Sequence, residues 1–183
     1  MPDGILVDMT VSVNRVPRIE RQSYDSEVVQ RLVALVQEEY VRRYGSVDAT
    51  VLQADDFEPP NGAFFVCFLD GEPVGTGAWR RHGERDAEMK RLFVVESARG
   101  LGLARAVVAR LELDAAAAGR TRMVLESGVE QPEALSLYAS MGYRAVTPFG
   151  FYANEPDARH LGKELPPVPN RGAVLQGVEE IFD

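Results

Sequence analysis

Residues 88–105 read EMKRLFVVESARGLGLAR, and a change of rhythm within them decides the fold. At the start, apolar Met89, Leu92, Val94 and Val95 stand among Glu88, Lys90, Arg91 and Glu96. That is the pattern of a strand with at least one buried face. Regular alternation puts Glu88, Lys90, Leu92 and Val94 on one side of it. The run breaks at Glu96-Ser97-Ala98 and turns through Arg99-Gly100-Leu101-Gly102-Leu103-Ala104. Leu103, Val107, Val108, Leu111 and Ala115 then recur at helical spacing. A strand runs into a glycine loop, and a helix begins inside that loop.

Such a junction has a chemical consequence. The first turn of a helix leaves about four backbone N–H groups without intrahelical partners, and the helix dipole adds roughly half a positive charge there. Gly100 and Gly102 permit unusual dihedrals and close approach of a ligand to the backbone. A diphosphate suits such a cradle, and Arg99 sets a planar cationic fork beside it.

The order strand, Arg-x-x-Gly-x-Ala, helix resembles the signature of the GNAT N-acetyltransferases, carried here by Arg99, Gly102 and Ala104. The resemblance implies acetyl-CoA as co-substrate, with its pyrophosphate held by Arg99, Gly100, Leu101, Gly102, Leu103 and Ala104.

Working outward, Asp25 offers a helix N-cap, and Val29, Leu32, Val33, Val36 and Tyr40 form a helical stripe ending near Tyr44-Gly45. An edge strand is expected over 15–22. Residues 63–69 are a compact apolar run, Asp70-Gly71 is a hairpin signal, and 73–80 is the return strand, with Gly75 and Gly77 marking a bulge or a close backbone approach. Three antiparallel strands thus precede the glycine loop. After it come a helix to Gly119, a strand over 122–126, a helix opening at Gln131-Pro132, and strands over 143–147 and 160–165. The set resembles the GNAT fold: an α/β (α+β) arrangement with a mixed, mostly antiparallel sheet of about seven strands, flanked by helices. In that fold a parallel strand pair splays apart. The domain spans 14–166, between a leader over 1–13 and a tail over 167–183. By resemblance, the pantetheine arm pairs with backbone of Phe93, Val94 and Val95, and the Val94 N–H polarises the thioester carbonyl.

A second segment, 126–143 (ESGVEQPEALSLYASMGY), resembles the family's second signature, with Gln131 in place of the more usual Asn as a CoA contact. By the same resemblance, Tyr138 is the general acid that protonates the departing thiolate, and Glu88 is a carboxylate base for the acceptor ammonium. Other readings stand beside these. Tyr138 also reads as a core residue beside Leu135, and Glu88 as the partner of Lys90 or Arg91. Glu126 is a second base candidate. Phe149, Phe151, Tyr152, Trp79 and Tyr24 are candidates for an acceptor wall. Cys67, in an apolar run, reads as core, and His82 and His160 lack metal-ligand spacing.

Composition narrows the classes. The chain has 183 residues, net charge −8 and one cysteine. Residues 1–60 carry 6 basic and 11 acidic side chains, whereas 80–122 carry 10 basic and 6 acidic. Bulk acidity with a local basic patch suits a small polyanion better than nucleic acid. No apolar run nears the roughly 18 residues of a membrane span, and Asp3 and Asp8 sit where an export signal wants positive charge. The expectation is a cytoplasmic monomer or homodimer that transfers an acetyl (acyl) group, by direct attack in a ternary complex, to the amine of a small-molecule or amino-acid-like acceptor, without metal, nucleic acid or membrane. A non-catalytic CoA-binding module is the alternative. A dinucleotide-binding oxidoreductase is set aside, because Arg105 stands where the third glycine of that fingerprint belongs.

Overall fold

The computed structural model describes residues 16–167. The expected leader over 1–13 and the tail beyond 167 lie outside them. In chain order the elements are β1 (Arg18–Gln22), α1 (Glu27–Tyr44), a 3-10 turn (Ala54–Phe57), β2 (Gly62–Leu69), β3 (Glu72–His82), β4 (Asp86–Val94), a second 3-10 turn (Glu96–Ala98), α2 (Leu103–Ala117), β5 (Arg122–Gly128), α3 (Pro132–Ser140), β6 (Arg144–Ala145) and β7 (Ala158–Glu164).

One seven-stranded sheet runs β1-β2-β3-β4-β5-β7-β6. All neighbours are antiparallel except β4 and β5. The hairpin joining β2 to β3 turns at Asp70 and Gly71, both at positive φ (54° and 88°), as the tightest hairpin turns require. β2 (GAFFVCFL) is apolar on both faces because both are covered. Phe65 and Cys67 pack on the α2 side with Val107, Val108 and Leu111, while Phe64 and Val66 pack with Val29, Leu32 and Phe57. α2 lies close on β3 at Gly77, where a Cβ would come within 2.5 Å of Val107 Cγ1.

Several local expectations are corrected. Ser26, not Asp25, precedes α1, and its side chain makes no cap. β6 is only two residues long. Tyr143 turns into the core instead, donating from its hydroxyl to Glu112 at 2.9 Å. β7 begins two residues before the expected 160.

The largest correction concerns β4. Its register against β3 shifts between Lys90, opposite Ala78, and Phe93, opposite Thr76, which inserts one extra residue in β4. Arg91 sits in that bulge at φ 54°, a left-handed conformation uncommon outside glycine. The Thr76 hydroxyl donates to the Arg91 carbonyl at 2.5 Å. The extra residue reverses facing. Ala87 and Met89 lie in the α2-side core, and past the bulge so do Leu92 and Val94. Leu92 and Val94 therefore do not share a side with Glu88 and Lys90, because simple alternation does not survive the insertion.

Among the described residues, no helix is long and apolar enough to cross a membrane.

Candidate active site

β4 and β5 pair over three residues only: Asp86 opposite Arg122, Ala87 opposite Met123, and Glu88 opposite Val124. Arg122 locks this end, donating from Nε and Nη2 to Asp86 at 2.9 and 2.5 Å. Beyond it the strands diverge, and a cavity of about 440 Å³ opens between residues 89–92 and 125–128. Tyr40 and Tyr44 of α1, with Asp48 and Thr50 of the following loop, form one wall. Gln131, Ala134 and Tyr138 form another, and Tyr152 closes over the third side.

The glycine loop lies beside this opening and does not line the cavity. Gly100 and Gly102 have φ of 79° and 76°, and a Cβ at either would meet nothing within 4 Å. Their role is conformational, and the space above them is open. Gly102 caps α2, whose first helical bond is from Ala106 N–H to Gly102 O at 3.1 Å. The N–H groups of Leu103, Ala104 and Arg105 are therefore outside the helical ladder, as a diphosphate site needs. Val95 N–H donates to Val74 O on β3 at 2.9 Å, so the neighbouring Val94 N–H faces away from β3. Arg99 folds back onto this edge. Its Nε donates to Val94 O at 3.0 Å, Nη2 lies 3.5 Å from Glu39, and the guanidinium sits over the half-buried Phe93 ring. Leu101 is exposed at the loop tip.

Glu88 is buried and does not line the cavity. Lys90 Nζ lies 2.6 Å from one of its oxygens, and Arg80 Nε donates to the other at 2.7 Å. Burial alone would raise the Glu88 carboxyl, but Lys90 and then Arg80 outweigh it and hold it below the usual carboxylate range. The competing reading of Glu88, as partner to Lys90, describes this geometry; its other partner is Arg80, not Arg91.

Among the described residues, Glu126 is one of four carboxylates on the cavity wall, with Asp48, Glu155 and Asp157. Its Oε2 accepts from Lys90 Nζ at 3.1 Å, and its Oε1 accepts from Tyr152 N–H at 3.2 Å. His160 Nε2 lies 3.3 Å from the same Oε1. Tyr138 is buried in the cavity lining, its ring against Tyr143. Burial, with Tyr40 nearby, pushes its hydroxyl well above the usual tyrosine range, so it carries its proton at neutral pH. Tyr40 is pushed up to about 12, again chiefly by burial.

Of the aromatic candidates, only Tyr152 lines the cavity. Phe149 packs between His82 and His160, edge-on to the latter, and Phe151 is exposed. Trp79 is core, its indole N–H on Asp114 at 2.9 Å, and Tyr24 packs on Phe57 and Phe64. Cys67 is buried, and burial raises its thiol.

Sequence reasoning missed Asp48, Thr50 and Arg91. Arg91 is ion-paired with Asp48. Burial favours the neutral Asp48 carboxyl, but the Arg91 charge and the Thr50 N–H hold it below the usual range. The Tyr152 hydroxyl also donates to Asp48, at 3.0 Å. No local pattern announces a pair 43 residues apart that depends on a strand bulge.

The GNAT family acetyltransferase model matches residues 29–143, which takes in the splayed strands, the glycine loop and α3. The chain belongs to the GNAT acetyltransferase family. It is 31% identical over 148 residues to a protein named IAA acetyltransferase from Azospirillum brasilense, covering 80% of this chain and 97% of that one. A Klebsiella pneumoniae crystal structure, named as a candidate acyl-CoA N-acyltransferase, superposes with TM-score 0.71 at 25% identity. That match covers 82% of this GNAT chain and 99% of the other. A GNAT acetyltransferase from Elizabethkingia anophelis, crystallised with acetyl-CoA bound, shares the fold with TM-score 0.60 at 17% identity, over 81% of this chain and 98% of its own.

Proposed function

We propose that this acetyltransferase moves the acetyl group of acetyl-CoA directly to the amine of a small molecule held in the cavity between β4 and β5. One observation carries the reading: the parallel ladder stops after three residues and opens onto a cavity that Tyr138 and Glu126 both line. The free amides at the start of α2 supply a diphosphate site, and the relative crystallised with acetyl-CoA supports that cofactor. In this reading the Val94 N–H, facing away from β3, stabilises the thioester oxygen as charge develops on it. Arg99 then exchanges its bond to Val94 O for the diphosphate, leaving that carbonyl for the pantetheine arm.

The acceptor ammonium must lose a proton before it attacks. Glu126 is better placed than Glu88 to take it, because Glu126 is at the cavity wall while Lys90 stands between the cavity and Glu88. The amine nitrogen bonds to the acetyl carbon, the carbon–sulfur bond breaks, and the neutral Tyr138 hydroxyl gives its proton to the thiolate. The second proton shed by the nitrogen restores the tyrosine, so that the net proton released is the one Glu126 took. A cytoplasmic location belongs to the same reading; a single buried cysteine agrees with it.

Calorimetry with acetyl-CoA, followed by thiol release over a panel of amines, tests this. Saturable binding with thiol release on at least one amine is the expected result. No binding at about millimolar ligand, a free energy near −4 kcal/mol, removes the basis of the reading. Binding without turnover on any acceptor favours a regulatory CoA-binding module.

A further inference from the structure

Charged side chains around the cavity are mostly well partnered. Lys90 has Glu88 and Glu126, and Arg80 has Glu88 and Asp56. Arg91 differs. Its side chain is 3% exposed, yet among the described residues its guanidinium bonds only to Asp48, through Nη1. Its Nε is buried with no partner. A guanidinium offers five N–H donors in a rigid fork, and idle donors on a buried charge are costly. The Thr50 hydroxyl, also buried at the cavity wall, completes no well-formed hydrogen bond, though it lies near enough to the Asp48 carboxylate to help lower it.

The fold holds Arg91 in place from both ends. Its backbone is fixed in the left-handed bulge, with its carbonyl taken by Thr76. Its partner Asp48 is pinned by the Thr50 N–H at 2.9 Å and the Tyr152 hydroxyl at 3.0 Å. A non-glycine residue in this conformation is the kind of local strain that clusters at ligand sites. The ionic lining leans acidic: Asp48, Glu126, Glu155 and Asp157 stand with Arg91 and Lys90, of which Arg91 pairs with Asp48 and Lys90 with Glu126. An acceptor carrying both an ammonium and a carboxylate matches this lining, its cation toward the surplus of acid and its anion toward the Arg91 fork.

We infer that Arg91, with Thr50 beside it, is the subsite for a carboxylate on the acceptor, and that the acceptor class is therefore amino acids. The inference rests on the acetyl-transfer reading above and deepens it. Arg91 bridges Asp48 and the incoming carboxylate with different edges of its fork, while the acceptor amine lies toward Glu126 and Tyr138. Arg91 is a specificity residue here; it takes no part in the proton transfers.

The test is thiol release from acetyl-CoA over matched triplets: each common amino acid, its amide, and the amine lacking the carboxyl group. The expected result is a kcat/KM about 10- to 100-fold higher for at least one free acid than for its amide or amine, the factor for a charge-assisted hydrogen bond. Arg91→Lys and Arg91→Gln then shrink the difference within that triplet, mainly through KM, while acetyl-CoA affinity by calorimetry reports that the variants are folded. A merely structural Arg91 does not alter the acid-to-amide ratio. Equal or better turnover of amides and amines by the unaltered protein overturns the subsite and leaves acetyl transfer standing. Thiol release from no acceptor removes both. The comparison within the unaltered protein decides even where the variants fail to fold.

Discussion

The two ends of the β4–β5 junction use the same strands for opposite purposes. At the closed end, three residue pairs and the Arg122–Asp86 ion pair bind the strands together. At the open end the ladder is gone, and the space holds Tyr138, Glu126 and the Arg91–Asp48 pair. Parallel strands deep in a sheet are normally buried by continuous pairing. Here, unpaired backbone is tolerated on one side of a single step, Glu88 opposite Val124. Stability and chemistry are thereby separated by a few residues along one strand. Substitutions at the closed end are expected to change the unfolding free energy, and those at the open end the turnover.

The sharpest way to break that division is Tyr138→Phe. Losing the hydroxyl is expected to lower kcat by about 100- to 10,000-fold, with acetyl-CoA affinity by calorimetry little changed. An unaltered kcat shows that the open end does not supply the acid. Glu88→Gln probes the boundary. It leaves Lys90 and Arg80 facing a neutral amide, and is expected to cost about 3–5 kcal/mol of stability in urea unfolding. Its effect on kcat should be small beside that of Glu126→Gln, and the reverse order returns the base role to Glu88.

Acid titration tests the closed end most gently. The Asp86 carboxyl is raised by burial but lowered more by the Arg122 hydrogen bonds and charge, and it ends below its ordinary value. Glu88 is likewise depressed. Both then contribute stability above their unfolded pKa values, near 4, and lose it as pH falls through the folded values. Unfolding free energy measured from pH 7 to 3 should fall below about pH 4, and Arg122→Gln should flatten the curve. A slope that ignores Arg122 disproves the lock.

What could be read ahead of the structure was whatever depends on neighbours in sequence. The glycine loop over 99–104, the α2 stripe and the Asp70-Gly71 turn follow from local spacing and φ requirements, and they appear where expected. The wall of the cavity was illegible for a different reason. Tyr40 faces Tyr138 across the cavity, and Asp48 reaches Arg91, only because the sheet brings distant segments together. The facing of Leu92 and Val94 was misjudged because a bulge leaves no mark in a polar–apolar pattern. Glu88 kept its strand position, yet its chemistry was decided by Arg80 on the strand beside it.

Arg99 has one more consequence. Where two strands part, each keeps a bare margin of main-chain donors and acceptors, an invitation for a stranger's strand to zip on. By folding over the Val94 carbonyl and leaning toward Glu39, Arg99 sets a charge along that margin. The side chain proposed to greet a diphosphate thus occupies, until a ligand arrives, an acceptor that would otherwise stand bare on the open seam.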